Sequence, residues 1–171
     1  MSSINRRHFL KTSTAGLTLA ATGRAAPSET LTLGVIGTGG RAQSHLYSVH
    51  QYGAAKIAAI CDIYDTNLNR SAKVIKDRQG TAPKLYTDFR KLLEDKSLDG
   101  VITATPHHWH ALITVAALEA GKHIYVEKPA SHVFAEGRRI VDAVKRNKRI
   151  VQHGTQMRSS EVTLAADKVL K

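Results

Sequence analysis

Residues Gly37-Thr38-Gly39-Gly40-Arg41-Ala42 match the G-x-G-x-x-G/A spacing of a phosphate-binding turn. In that spacing Gly37 permits the tight turn, Gly39 lets the backbone approach a pyrophosphate, and Ala42 keeps helix and strand close. A helix opening at Gly40 would direct unpaired N–H groups at the negative charge. Asp62 stands 25 residues beyond Gly37, at the end of the next apolar run. A carboxylate there accepts the ribose hydroxyls of an adenosine and repels a 2′-phosphate, which favours NAD over NADP. Arg41 is the residue that could instead accommodate that phosphate.

Thr105-Pro106-His107-His108-Trp109-His110 gathers three histidines and the chain's one tryptophan. Such a cluster could ligate a metal, contact nucleic acid or form the rim of a cofactor pocket. Neighbours on a helix point about 100° apart, so the three imidazoles do not converge easily. No cysteine or clustered carboxylate completes a coordination sphere, and no metal is expected. The net charge of +11 raises nucleic-acid binding. Arg6, Arg7, Lys11 and Arg24, however, all precede the first acidic residue, Glu29. The remaining cations fall mainly on helix-like segments as a solvated face. With no stacking array of aromatics and no reading motif, no nucleic-acid partner is expected.

The elements that must carry these residues alternate. Residues 31–36 read as a buried strand, followed by the glycine turn and a helix. Residues 55–65 are an apolar strand ending in acid, and 66–80 a helix closed by Gly80. A short strand over 84–88 and a short helix over 88–97 follow. The strand 98–106 delivers its end to the histidine cluster. The helix 107–121 takes Pro106 at its first position and Gly121 at its cap, with apolar spacing at Leu112, Val115, Ala116 and Leu118. A strand over 122–129, a helix over 135–148 and a strand over 149–156 complete the series. This alternation predicts a doubly wound, Rossmann-like α/β fold, a parallel sheet with helices on both faces. Residues 159–171 read as the start of a helix leading to a C-terminal domain outside this chain.

The 171 residues suffice for about one domain, and 42% apolar with 23% charged is ordinary globular composition. The single cysteine, Cys61, excludes an intramolecular disulfide and reads as a small buried hydrophobe. No apolar run reaches the length of about 18 residues that a spanning helix needs, so no stable membrane span is expected. Residues 1–26 resemble a twin-arginine signal peptide: Arg6-Arg7 precede Phe9-Leu10-Lys11, a weakly apolar run and a small-residue patch ending at Ala25. That resemblance implies the Tat export machinery as a partner and a periplasmic or otherwise exported protein, with residues 27–158 as its dinucleotide-binding domain. The route carries folded proteins, which suits one that acquires a cytoplasmic cofactor before export.

The segments GVIGTGGRAQSHL, AAICD, TATPHHWHALITVAALEAGKHIYVEKPAS and VQHGTQMRS together resemble the glucose–fructose oxidoreductase/inositol dehydrogenase family (Gfo/Idh/MocA) over residues 31–171. The resemblance implies an NAD-dependent oxidoreductase moving hydride to or from a hydroxyl-bearing carbon of a sugar, polyol or sugar derivative. It implies a homo-oligomer, and a second domain that completes the catalytic set. Within Glu127-Lys128-Pro129, its most telling motif, Lys128 would be the catalytic group beside the substrate hydroxyl, and Pro129 would follow a cis peptide. A cation there stabilises negative charge developing on the oxygen. Thr105 and Pro106 would shape the dinucleotide-lining turn, Trp109 would pack against the cofactor, and His110 would be the motif histidine. Held in a first helical turn, His110 is expected as a neutral hydrogen-bond partner. Gln156 and Arg158 would approach nicotinamide and substrate. His45, His50, His123, His132 and His153 have no motif support beyond position and read as structural. Two alternatives share these residues: a redox-assisted NAD-dependent glycosidase, and a nucleotide- or sugar-binding module without chemistry. As a fragment, the chain alone is expected to be inactive.

Overall fold

The computed structural model describes residues 30–170. The proposed signal peptide therefore lies outside the described residues. Six parallel strands form one sheet: β1 (Leu31–Ile36), β2 (Ala55–Cys61), β3 (Lys84–Tyr86), β4 (Gly100–Thr103), β5 (His123–Glu127) and β6 (Val151–Gly154). Their order is β3-β2-β1-β4-β5-β6. The chain leaves β1 toward one edge and returns to β4 toward the other. At such a reversal the connecting loops diverge, and a crevice opens at the carboxyl ends of the two central strands.

Helices cover both faces. On one lie α1 (Gly40–Tyr52) and α2 (Asp65–Gln79); on the other lie α3 (Phe89–Leu93), α4 (His107–Glu119) and α5 (Phe134–Asn147). Strand residues alternate between the two cores, as a side-chain period of two requires. Val35, Ile60 and Ile102 pack with Leu46, Leu68 and Ile75 under α1 and α2. Ile36, Cys61 and Val101 pack with Leu92, Ile113 and Leu118 under α3–α5. Continuous apolar strands thus supply two cores from one sheet, the pattern of a sheet buried on both sides. A 3₁₀ turn (Gln156–Ser159) leads to a last helix, α6 (Glu161–Leu170), in which no residue is buried. Among the described residues no helix is long and apolar enough to cross a membrane.

Two local expectations differ from the structure. Pro106 is the N-cap of α4 rather than its first helical residue. The face of α4 is also rotated: Ala111, Ile113, Thr114, Ala117 and Leu118 are buried, whereas Leu112 is 54% exposed. The helix is apolar almost all round, so its pattern alone cannot select the inward side.

Lys122 shows how polar atoms are settled at the opposite end of the sheet. It is buried, and its ammonium donates to the carbonyls of Asp95 (2.7 Å) and Leu98 (2.8 Å), tying the start of β5 to the loop before β4. Burial, with the charge of Lys96, pulls its pKa below the ordinary lysine value. Replacing Lys122 by Met leaves two carbonyls without their donor. The expected loss is about 2 kcal/mol, measured as a lower midpoint in chemical denaturation.

Candidate functional site

The crevice at the carboxyl ends of β1, β2 and β4 is a cleft of about 680 Å³. Gly37, Gly39, Asp62, Thr105, Pro106 and Trp109 all line it. Residues separated by more than 60 positions are brought together because each ends a strand or begins the following helix. The turn itself needs glycine at its first position. Gly37 has φ +81°, and a Cβ there would lie 2.8 Å from the Thr105 side chain and 2.9 Å from its backbone nitrogen. At Gly39 a Cβ would meet only the Asn67 amide, at 3.9 Å, and at Gly40 nothing within 4 Å. Helix α1 has Gly39 as N-cap, no side chain capping its N–H groups, and no acid in its first turn. An open lane therefore ends on unpaired donors, and this arrangement fits the pyrophosphate of a dinucleotide.

Thr38, within the phosphate-binding turn, points inward and is wholly buried. Its backbone N–H and its hydroxyl both donate to Asp62 Oδ2, at 2.7 and 2.9 Å. Its carbonyl accepts from Gln43 (3.0 Å) and Ser71 (3.2 Å). Asp62 Oδ1 accepts from the Tyr64 amide at 2.9 Å. A carboxylate offers about four lone-pair positions, so Asp62 retains room for about one more donor rather than the pair of ribose hydroxyls expected. Its charge still opposes a 2′-phosphate. Farther along the cleft, Phe89 and Trp109 meet edge to face at 6.2 Å between centroids, forming an apolar wall. Cys61 also borders the cleft, but burial, together with Asp62 and Asp88, pushes its thiol up to about 12, so it is inert.

The histidine cluster divides. His107 and His108 are exposed, whereas His110 is 1% exposed and lies beneath the loops. Its Nδ1 is 2.6 Å from the Pro129 carbonyl and its Nε2 is 2.8 Å from the Thr105 carbonyl. The structure therefore places His110 beneath the rim of the cleft rather than along it, as a joint between the β4–α4 loop and the turn after β5. Among the described residues no group of three or more His, Cys, Asp or Glu side chains is arranged to hold a metal ion.

Beyond β5 the turn Glu127-Lys128-Pro129 contains the cis Lys128–Pro129 peptide that the family resemblance implied. Lys128 is exposed on this lip. Glu127 points inward and is 3% exposed. Its Oε1 accepts from Arg41 Nε (2.8 Å), Arg41 Nη2 (2.8 Å) and His45 Nε2 (2.9 Å), and its Oε2 accepts from the Lys128 amide at 3.2 Å. Burial pushes the carboxyl up, but Arg41, the Lys128 amide and His45 outweigh it, and Glu127 lies below the ordinary glutamate value. Arg41 is thus committed to β5, on the far side of the turn from Asp62. Gln156, with its amide nitrogen donating to Gly154 O (2.9 Å), accepts from Arg41 Nη2 at 3.3 Å. Arg158 lies exposed on the 3₁₀ turn. His45, read from sequence as structural, belongs to this group. The only hint was its place one helical turn after Arg41.

A doubly wound sheet with an uncapped glycine turn, an acid at the end of β2 and a lysine lip after β5 is a dinucleotide-binding domain. The chain belongs to the Gfo/Idh/MocA family: residues 31–155 match it, described as an oxidoreductase family with an NAD-binding Rossmann fold. It is 31% identical over 177 residues to an alpha-N-acetylgalactosaminidase of Shewanella oneidensis, covering 87% of this chain and 39% of that protein. The chain therefore spans about two-fifths of the length of the curated relatives it matches. Among solved structures it resembles an NAD binding oxidoreductase from Klebsiella pneumoniae (25% identity, TM-score 0.68, 82% of this chain and 38% of that one). It also shares its fold with the WlbA dehydrogenase of Chromobacterium violaceum, solved with NADH and UDP-GlcNAcA (22% identity, TM-score 0.73, 82% and 39%).

Two outcomes follow from this geometry. Gly37→Ala sets a Cβ against Thr105 in a left-handed conformation, and NAD affinity measured by titration should fall at least about tenfold, since the strain costs on the order of 1–3 kcal/mol. His45 concerns pH. Burial, with the Arg41 charge, holds its pKa below 6.5 despite the opposing pull of Glu127. Its contribution to stability is complete above pH 6.5. It declines as acidification toward the folded value protonates the unfolded chain first. In denaturation midpoints followed from about pH 7.5 to 5.5, His45→Gln should show a shallower acid loss than the parent.

Proposed function

We propose that the whole protein is an NAD-dependent oxidoreductase acting on a hydroxyl-bearing carbon of a sugar, polyol or sugar derivative. The observation that carries this reading is Lys128, exposed on the lip of β5 while its backbone is tied to buried Glu127. When bound, NAD supplies the carbon that accepts or returns a hydride. The residues of this chain bind the cofactor and orient the substrate oxygen. The glycine turn and the N-terminus of α1 hold the pyrophosphate, Asp62 takes one ribose hydroxyl, and Phe89 with Trp109 shields the adenine side from water. The Lys128 ammonium would donate to the substrate oxygen and stabilise the charge that develops as the hydroxyl proton passes to a base in the second domain, outside this chain. Arg158, on the turn beyond β6, is placed as a second contact to substrate.

A second reading has a specific observation behind it: the curated relative at 31% identity carries the name of a glycosidase. In that reading the sugar is oxidised transiently, the aglycone leaves by elimination, water adds in its place and the hydride returns, so the same lysine serves without net redox change. The export signal read in residues 1–26 supports a protein that leaves the cytoplasm folded with NAD retained, and the family resemblance supports a homo-oligomer completed by residues outside this chain.

Assay of the whole protein with a panel of polyols and sugars, and separately with p-nitrophenyl α-N-acetylgalactosaminide, separates the two readings. Accumulating NADH marks the dehydrogenase, whereas nitrophenol without NADH marks the glycosidase. In either case Lys128→Met should lower kcat about 100- to 1,000-fold while NAD remains bound. Undiminished turnover in that variant would exclude the lysine from the chemistry.

A further inference from the structure

We infer that Arg41 and His45 are positioning residues: the first turns of the nucleotide-binding helix grip Glu127 and thereby fix the backbone of Lys128. This rests on the reading of Lys128 as the group beside the reacting oxygen. Arg41 and His45 stand four residues apart on α1, so their side chains share one face. Both reach the same oxygen, Oε1, across 86 and 82 residues of sequence. Three donors on Oε1 leave Oε2 for the Lys128 amide. The carboxylate therefore has one oxygen anchored to the nucleotide helix and the other to the lysine turn.

The surroundings hold the anchor in place. Gln156 accepts from the outer nitrogen of Arg41, so the 3₁₀ turn after β6 joins the same arginine. His45 packs edge-on against Tyr125, with 5.1 Å between ring centroids. Tyr125 in turn fills the space over Gly154, where a Cβ would lie 2.6 Å from its hydroxyl oxygen. Buried ion pairs contribute little net stability compared with apolar packing of the same volume. Here the pair adjoins the cofactor-binding end of the sheet and its last bond is to the lysine itself. The side chain expected to meet a phosphate, Arg41, is instead the link between cofactor turn and lysine turn.

The test uses the whole protein saturated with NAD, and reads amide hydrogen exchange by mass spectrometry over residues 125–131. Arg41→Met and His45→Leu should each speed exchange of this segment about tenfold, the factor expected for losing one charge-assisted hydrogen bond. NAD affinity should stay within about threefold, because neither side chain is assigned to the nucleotide. His45→Gln, which keeps a donor, should restore parent-like exchange, and Arg41→Lys serves if Arg41→Met does not fold. Unchanged exchange in the losing variants would overturn the inference. So would a drop in NAD affinity without any change over 125–131, which would return Arg41 to the phosphate. Because exchange and affinity do not require turnover, an active Lys128→Met variant would refute the role of the lysine separately.

Discussion

A carboxylate stays ionised inside a protein only where donors replace the water it has lost. Glu127 meets that demand with a guanidinium, an imidazole and a backbone amide drawn from α1 and from its own turn. The remainder of the site follows from meeting it. Strand β5 must end level with the start of α1, so β1 and β5 must flank β4, which is the order seen in the sheet. The lysine lip cannot drift without exposing a charge to a dry interior. One carboxylate thus couples the two halves of the crevice.

The second coupling is His110. It bonds the loop after β4 and the turn after β5 through one ring, and it lies below both. Together with Asp62, which holds the glycine turn through Thr38, it makes the rim of the crevice a set of loops pinned from underneath. Side chains that ligand-centred reasoning would point outward are used inward. What remains for a dinucleotide is mostly backbone and open space, which suits a long ligand with a charged middle.

The fold was legible because its signals are local. Apolar runs, glycine stops and alternating periods mark strands and helices within ten or so residues, and all six strands emerged near their expected bounds. The glycine turn and Asp62 were legible for the same reason, since each lies at the end of a strand, whereas the Glu127-Lys128-Pro129 turn was legible only through the family resemblance. The direction of a side chain depends on neighbours far away in sequence. Arg41 could not be told from a phosphate ligand without knowing that Glu127 lies within its reach. His45 had no motif to mark it, and the inward turn of Thr38 and His110 depends on how deeply their loops sit. The face of α4 was hidden by its own uniformity, because Leu112 and Ile113 are equally apolar and only the position of the sheet distinguishes them.

Asp62 holds Thr38 and, in the function proposed above, also meets the ribose, which would constrain any attempt to re-engineer nucleotide preference. An engineer who removed its charge to admit a phosphorylated ribose would also strand the amide and hydroxyl of Thr38 in a dry interior. On that proposal cofactor choice and loop shape become a single heritable trait at this position, and changing one calls for a compensating acceptor for the other.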